Sequence, residues 1–149
     1  MKVKTCAISN CGLISQRKLE KVVKKLRNEI DNLIAQGVTE FISSGDIGFD
    51  QMAAAFVLDR KKHNANIRLK FALPCRNQDE KWGEKQKQLY HFLLNEADEV
   101  VYLSNKQSPN SMTERVNYMV DNSAYVLCAS ISELLRYSYR EGLSVIKVA

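Results

Sequence analysis

The chain has 149 residues, 45% of them hydrophobic and 26% charged, which excludes a disordered chain or a coiled coil and favours one domain over residues 1–149. The net charge of +5 is concentrated in residues 1–37, which carry eight lysines or arginines and three acidic residues. No aromatic side chain is interleaved with these basic residues, as single-strand binding would favour. We therefore interpret them as a solvated helix face and do not expect nucleic-acid binding.

The first residues are too few and too polar for a secretory signal, and no apolar run approaches the roughly 20 residues of a membrane span. We therefore expect a soluble, cytoplasmic protein with no membrane partner. The four cysteines are widely spaced, with no CxxC pair and no histidine at metal-ligand spacing, so we expect no disulfide framework, no metal and no cofactor. Cys11 and Cys75 are predicted to lie in loops, where a thiol could meet a ligand.

Strands and helices alternate from the start of the chain. An apolar strand at residues 3–9 precedes a helix that Ser15 caps and Gly37 ends. A second strand at 38–43, a helix at about 50–62 and a strand at 67–73 follow. Because these strands are apolar on both faces, they suit a parallel sheet that is covered by helices.

The second half continues the alternation. After Pro74 and a polar loop, a helix is predicted from about 79 to 97, with its inner side formed by Trp82, Leu89, Phe92 and Leu93. Strands are predicted at 100–103, 125–128 and 144–148. Two capping boxes, Ser111 with Glu114 and Ser130 with Glu133, are predicted to begin the helices on either side of the strand at 125–128. We expect Met112 and Met119 of the first of these helices to be core residues.

This alternation predicts an α/β fold, a single Rossmann-like, doubly wound and mainly parallel sheet of about six strands with helices on both faces. Ligands of such sheets bind beyond the carboxyl ends of the strands, near the point where strand order reverses. The loop at residues 43–50 is the most informative, because it leads from a strand through a glycine turn into a helix N-terminus that could hold an anion.

The loop residues together resemble the SLOG superfamily of Rossmann-like nucleotide-binding domains, and within it the branch of the bacterial YpsA proteins. The resemblance covers nearly the whole chain and rests on the order and spacing of Gly48-Phe49-Asp50 with Ala53-Ala54, Leu73-Pro74-Cys75 with Gln78 and Trp82, residues 97–102, Met112, Arg115 and residues 118–123. It implies a Rossmann-like fold and a nucleotide or related ligand. Relatives of this kind include phosphoribohydrolases, sensors of NAD-derived signals and the DNA-uptake protein DprA.

Several loops depart from that pattern. Asn10-Cys11-Gly12 stands where the branch usually has Gly-His-Arg, and Ala129-Ser130-Ile131 replaces a second glycine-rich loop. One arginine of two remains, at Arg115. Ser44 and Asp46 stand where relatives favour a glycine and a small residue. A carboxylate at Asp46 would repel a phosphate by several kcal/mol at about 4 Å and an effective dielectric of about 20, unless a cation bridges the two.

The resemblance and the loop positions together give a set of candidate ligand-binding residues: Ser9, Asn10, Ser44, Gly45, Asp46, Gly48, Asp50, Gln78, Trp82, Arg115 and Ser130. Asp50 either contacts a ribose hydroxyl, holds the turn, or caps the second helix. Arg115 either binds a phosphate or pairs with Glu114, Asp121 or a carboxylate at the sheet edge. Trp82 either stacks on a base or anchors its helix. Gly48 is expected to supply a positive φ or a close backbone approach.

No paired carboxylates, no nucleophile with a base and no P-loop can be assembled from these residues, so catalysis is left open and a non-catalytic role is favoured. We expect a non-catalytic or degraded SLOG-type domain that binds a nucleotide-like small molecule at the carboxyl edge of the sheet. The alternatives are a structural or protein-interaction domain with a decayed pocket, and a hydrolase of nucleoside monophosphates. Association into a homo-oligomer is left open.

Overall fold

The computed structural model describes residues 2–9, 14–105, 108–129 and 133–148. These ranges contain six strands in one sheet, namely β1 (Thr5–Ile8), β2 (Glu40–Ser43), β3 (Arg68–Leu73), β4 (Glu99–Tyr102), β5 (Tyr125–Cys128) and β6 (Ser144–Lys147). The strand order is β4-β3-β2-β1-β5-β6, and all neighbouring strands are parallel. The predicted Rossmann-like α/β sheet is therefore confirmed.

The helices cover both faces of this sheet. A short 3₁₀ helix (Lys2–Lys4) precedes β1, and the α-helices are α1 (Gln16–Ala35), α2 (Phe49–Lys61), α3 (Glu84–Glu96), α4 (Ser111–Asp121) and α5 (Glu133–Arg140). Helices α1, α2 and α3 contribute to one apolar cluster, whereas α4 and α5 contribute to a second cluster on the other face. Among the described helices, none combines the length and the apolar character that a membrane crossing requires.

The apolar character of the strands explains the two layers. Consecutive residues of a strand point to opposite faces, and Phe41 of β2 accordingly lies in the first cluster while Ile42 lies in the second. Phe71 and Ala72 of β3 divide in the same way. Both faces of the sheet are therefore buried, as the sequence predicts.

Helix α1 buries one stripe and exposes its charge. Its buried residues recur at helical spacing, at Val22, Leu26, Ile30 and Leu33. The basic residues between positions 17 and 27 are all exposed to solvent. This exposure is what a solvated helix face requires, and that interpretation stays a prediction. Ser15 occupies the N-cap position but makes no capping hydrogen bond through its side chain.

Helix α3 begins later than predicted. Residues 76–82 form turns, and the helix begins at Glu84 because Gly83 caps it, with the Gly83 N–H donating to Gln86 Oε1 at 2.9 Å. The inner side also differs, because Phe92 is 57% exposed whereas Tyr90 is buried. The predicted start of this helix is therefore wrong, and so is the predicted burial of Phe92 and of Leu89, which is 47% exposed.

Helix α4 lacks the predicted capping box. Asn110 is the N-cap, and the Ser111 Oγ accepts a hydrogen bond from the Ser108 N–H at 2.8 Å instead of binding its own helix. Met112 is 45% exposed, so its prediction as a core residue is wrong, whereas Met119 is fully buried as expected. The second predicted box includes Ser130, which lies outside the described residues.

The order of the strands reverses between β1 and β5, where β1 has β2 on one side and β5 on the other. The loops that follow these two strands include residues 10–13 and 130–132, which lie outside the described ranges. The described part of the carboxyl edge is therefore built by the segments that follow β2, β3 and β4.

Candidate functional site

The turn between β2 and α2 depends on two glycines. Gly45 has a φ of +77°, and a Cβ there would lie 2.7 Å from Leu73 Cδ2, so both backbone conformation and packing require glycine. Gly48 has a φ of +96° with open space around it, so its predicted positive φ is confirmed. Gln51 fastens the turn, because its side-chain Nε2 donates to the Gly45 carbonyl at 3.0 Å. This role of Gln51 was not evident from the sequence.

Asp50 lies in the first turn of α2 and is only 1% exposed. Its Oδ2 accepts hydrogen bonds from Ser9 Oγ at 3.3 Å and from Ser44 Oγ. The Ser43 Oγ donates to the Asp50 carbonyl at 3.1 Å. Because Gly48 is the N-cap, the prediction of Asp50 as an N-cap is wrong. Asp50 instead ties the ends of β1 and β2 to the start of α2.

Asp46 forms an ion pair with Arg115 across the carboxyl edge. The distance from Arg115 Nη2 to Asp46 Oδ2 is 3.0 Å, and Gln78 Nε2 donates to Asp46 Oδ1 at 2.7 Å. The Arg115 side chain is 1% exposed and that of Asp46 is 33% exposed. Arg115 therefore pairs with a carboxylate at the sheet edge, which is one of the alternatives that the sequence left open.

A cavity of about 200 Å³ lies at this ion pair, and we call it the cleft. The cleft is lined by Asp46, Pro74, Gln78, Trp82, Ser108, Pro109, Ser111, Met112 and Arg115. The half-buried Trp82 meets the Tyr90 ring edge-on, with centroids 4.9 Å apart, and also packs against the core. Its indole therefore anchors this segment and forms part of the cleft wall at the same time.

The structure divides the candidate residues into two groups. Asp46, Gln78, Trp82 and Arg115 meet at the cleft. The others are buried in or beside the turn between β2 and α2, namely Ser9, Ser44, Gly45 and Asp50. Gly48 is exposed on the other side of that turn. Asn10 and Ser130 lie outside the described residues.

Two further residues support the cleft and were missed from the sequence. Tyr90 donates from its hydroxyl to Gln78 Oε1 at 3.0 Å, and Arg115 Nη2 donates to Met112 Sδ at 2.7 Å. Burial raises the pKa of Tyr90, and the nearby Tyr102 and Asp79 add to the shift. A tyrosine within the apolar stripe of α3 was the available signal for the first contact. Met112 follows Ser111 with no pattern that indicates its role.

Cys75 is fully buried, so the prediction that this thiol could meet a ligand is wrong. Across the described ranges, no three histidine, cysteine, aspartate or glutamate side chains come together as a metal site requires.

A second concave surface lies between α2 and α3, and we call it the groove. Its larger part has a volume of about 540 Å³, and its walls include Ala55, Leu58, Leu89 and Phe92. An adjoining cavity of about 460 Å³, which shares Ala55 and Leu89, extends to Ile47 and Met52. The groove is thus larger and more apolar than the cleft, and the two surfaces meet at the turn after β2.

A comparison against known families finds a match over most of the chain. The family described as the YspA SLOG family, YpsA, matches residues 14–134. The chain belongs to this SLOG family. The resemblance identified from the loop residues is therefore confirmed.

Relatives of this SLOG chain occur in bacilli and related bacteria. An uncharacterised SPbeta prophage-derived protein of Bacillus subtilis, YoqJ, is 32% identical over 120 residues, which cover 72% of this chain and 70% of YoqJ. A UPF0398 protein of Brevibacillus brevis is 29% identical over 108 residues, which cover 71% of this chain. The matched part spans only 57% of the Brevibacillus protein's length.

Solved structures share the fold of the SLOG chain at low sequence identity. A structure of DNA processing protein A from Helicobacter pylori, described for its single-stranded DNA binding mode, has a TM-score of 0.60 at 15% identity. That match covers 93% of this chain and 60% of the other. The X-ray structure of TM1055 has a TM-score of 0.57 at 11% identity, covering 96% of this chain and 72% of the other. These likenesses support the fold alone.

Proposed function

We propose that this SLOG domain binds a nucleotide-like small molecule in the cleft, beyond the carboxyl ends of β2, β3 and β4. The observation that carries the proposal is the convergence of a guanidinium, a carboxylate, an amide and an indole on one cavity, from Arg115, Asp46, Gln78 and Trp82. A few convergent polar groups beside an aromatic wall are typical of small-molecule sites, and the carboxyl edge is where such sheets bind ligands.

The size of the cleft limits how much of a ligand it holds. Its volume of about 200 Å³ is below the range of about 300–1,000 Å³ that is usual for pockets that bury a drug-sized ligand. We therefore propose that one ring of the ligand enters the cleft and that the rest extends beyond it.

The contacts of the two carboxylates near the cleft favour binding without catalysis. Asp46 is engaged by Arg115 and Gln78, and Asp50 accepts from Ser9 and Ser44 inside the neighbouring turn. A general base must lie within hydrogen-bond reach of the proton that it removes. Because Asp50 is 1% exposed and Asp46 is already paired with Arg115, we rank the hydrolase alternative below binding.

Titration calorimetry with nucleotides and NAD derivatives tests the proposal. We expect saturable binding that Gln78→Ala weakens by about tenfold or more, since the Asp46 carboxylate loses the side chain that holds it in the cleft wall. Gln88→Ala is the matched control, because Gln88 is an exposed residue of α3 that does not line the cleft. The proposal fails if the wild-type protein gives no heat of binding with any of these compounds at millimolar concentration.

A second candidate function is self-association through the groove, with a second copy of this chain as the occupant. Leu89 is 47% exposed and Phe92 is 57% exposed, and exposed apolar patches of this kind often mark interfaces. Charges of both signs line the groove, from Asp59, Lys61, Lys62 and Glu96, so a two-fold contact could pair opposite charges of two copies. Light scattering behind a sizing column tests this, and a monomer at high micromolar concentration would rule it out.

The likeness to DNA processing protein A weighs against the expectation that the chain does not bind nucleic acid. At 15% identity it supports the fold alone, and the exposed basic face of α1 lacks interleaved aromatic side chains. Fluorescence anisotropy with a labelled single-stranded DNA tests whether the chain binds nucleic acid. Binding that weakens steeply with added salt would show phosphate contacts and would overturn our expectation.

A further inference from the structure

We propose that the cleft selects the uncharged ring end of its ligand, so that a nucleoside binds at least as tightly as its 5′-monophosphate. This inference rests on the proposed function of the cleft and names the ligand class. It rests on two observations. Arg115 forms an ion pair with Asp46, and Arg115 Nε and the partly exposed Asp46 carboxylate can still hydrogen-bond a ligand.

The charge of the Arg115 guanidinium is already paired with the Asp46 carboxylate. Its side chain is 1% exposed, and its Nη2 already donates to Asp46 Oδ2 at 3.0 Å and to Met112 Sδ at 2.7 Å. Tight phosphate recognition uses a guanidinium fork whose donors face the phosphate. A phosphate in this cleft would have to displace Asp46 or lie against its carboxylate.

Asp46 is itself held in place. Gln78 Nε2 donates to Asp46 Oδ1 at 2.7 Å, and the Tyr90 hydroxyl fixes Gln78 through its Oε1 at 3.0 Å. Burial raises the pKa of Tyr90, so its hydroxyl remains a donor throughout the physiological range. Displacement of Asp46 would therefore break contacts to both Arg115 and Gln78, and the ion pair is a fixed, neutral part of the wall.

The remaining polar atoms suit an uncharged hydrogen-bonding ring. Arg115 Nε is buried and has no hydrogen-bond partner among the residues that the structure describes. The Asp46 carboxylate is 33% exposed, so it can accept a further hydrogen bond. A donor close to an acceptor matches the adjacent acceptor and donor on the edge of a nucleobase. Trp82 adds an aromatic wall on which such a ring can pack.

The test measures adenosine, AMP and inorganic phosphate by titration calorimetry against the wild-type protein and Asp46→Asn. We expect wild-type affinities for adenosine and AMP within about threefold of each other, and no binding of inorganic phosphate. Asp46→Asn leaves the Arg115 charge unopposed and weakens an acceptor for the ring, so the phosphate end can enter the cleft in place of the ring. We therefore expect this variant to favour AMP over adenosine by about tenfold or more. Asp59→Asn is the matched control, because it removes the same charge from the groove and leaves the cleft unchanged.

The possible results separate a failure of this inference from a failure of the proposed function. Wild-type protein that binds AMP at least about tenfold more tightly than adenosine would overturn this inference and leave the proposed function intact. An Asp46→Asn variant with the same preference as the wild type would overturn it as well. An Asp59→Asn variant that shifts the preference as far as Asp46→Asn would also overturn it, since the effect would then be one of net charge. A wild-type protein that binds neither compound at millimolar concentration contradicts the proposed function itself.

Discussion

Asp46 and Ile47 are consecutive residues of one turn, yet they line surfaces of opposite character. Asp46 belongs to the cleft, where polar groups bond one another and Arg115 is almost fully buried. Ile47 belongs to the groove, where Leu89 and Phe92 remain about half exposed. The cleft is thus built from interactions that contribute to stability, whereas the groove displays apolar surface that the isolated chain does not bury. Substitutions in the cleft should therefore lower the free energy of unfolding more than substitutions in the groove.

The largest effect is expected at the ion pair of the cleft. Arg115→Met leaves the Asp46 carboxylate without its cation, and we expect the free energy of unfolding to fall by about 3 kcal/mol. This value is at the low end for a broken buried pair, because Asp46 is one-third exposed and water can reach it. Urea denaturation measures the change.

The matched variant for this prediction is the double substitution Asp46→Asn with Arg115→Met. Because it removes both charges, it should recover most of the stability lost in Arg115→Met alone. A single variant that loses less than about 1 kcal/mol would show that the pair does not organise the cleft.

The turn that separates the two surfaces supplies the second prediction. Gly45→Ala should destabilise the protein by about 2–3 kcal/mol, because it combines a left-handed φ with a Cβ that would lie 2.7 Å from Leu73 Cδ2. Gly48→Ala has only the positive φ and should cost about 1–2 kcal/mol. Thermal and urea unfolding give both values. Equal losses would show that packing against Leu73 does not restrict this position.

The fold was predictable because the pattern of apolar and polar residues that determines it is visible in the sequence. Strands that are apolar on both faces alternate with amphipathic segments, and that alternation is enough to predict a parallel sheet covered by helices. The start of α3 was missed because the apolar spacing continues upstream to Trp82, whereas the contact of Gly83 with Gln86 starts the helix. Capping of this kind depends on local geometry that a spacing pattern does not contain.

The site was predictable only in part. The loops that follow the strands identify Asp46, Gln78 and Arg115 as neighbours at one edge, because parallel strands end together. The sequence does not show that Asp46 would accept from both of the others, since Arg115 could equally have met Glu114 or Asp121. That choice depends on how α4 packs against the sheet. The bond from Tyr90 to Gln78 depends in the same way on the placement of α3.

Tyr90 connects the core to the cleft and allows a smaller, pH-dependent test. Tyr90→Phe removes the hydrogen bond to Gln78, and we expect a loss of about 1 kcal/mol at neutral pH. Burial raises the pKa of Tyr90 in the folded protein above that of the unfolded chain, which is about 10. The stability that this group contributes is therefore fully present below about pH 10 and is lost as the pH rises toward the folded-state pKa.

The measurement is the difference in unfolding free energy between wild type and Tyr90→Phe from neutral to alkaline pH. Subtracting the variant removes the contributions of the other tyrosines, so the difference should shrink above about pH 10. A difference that stays constant across this range would show that Tyr90 titrates alike in the folded and unfolded chains.

The smallest effect on stability, and the sharpest contrast with the cleft, is expected in the groove. Phe92 is 57% exposed, so Phe92→Ser should change the free energy of unfolding by no more than about 0.5 kcal/mol. Tyr139→Ser is the matched control, because Tyr139 is a 67% exposed aromatic residue of α5 that does not line the groove. If the groove joins two copies of the chain, Phe92→Ser alone should shift the mass measured by light scattering toward the monomer, since apolar burial drives such contacts. A large loss of stability in Phe92→Ser would instead mean that the groove closes in solution and belongs to the core.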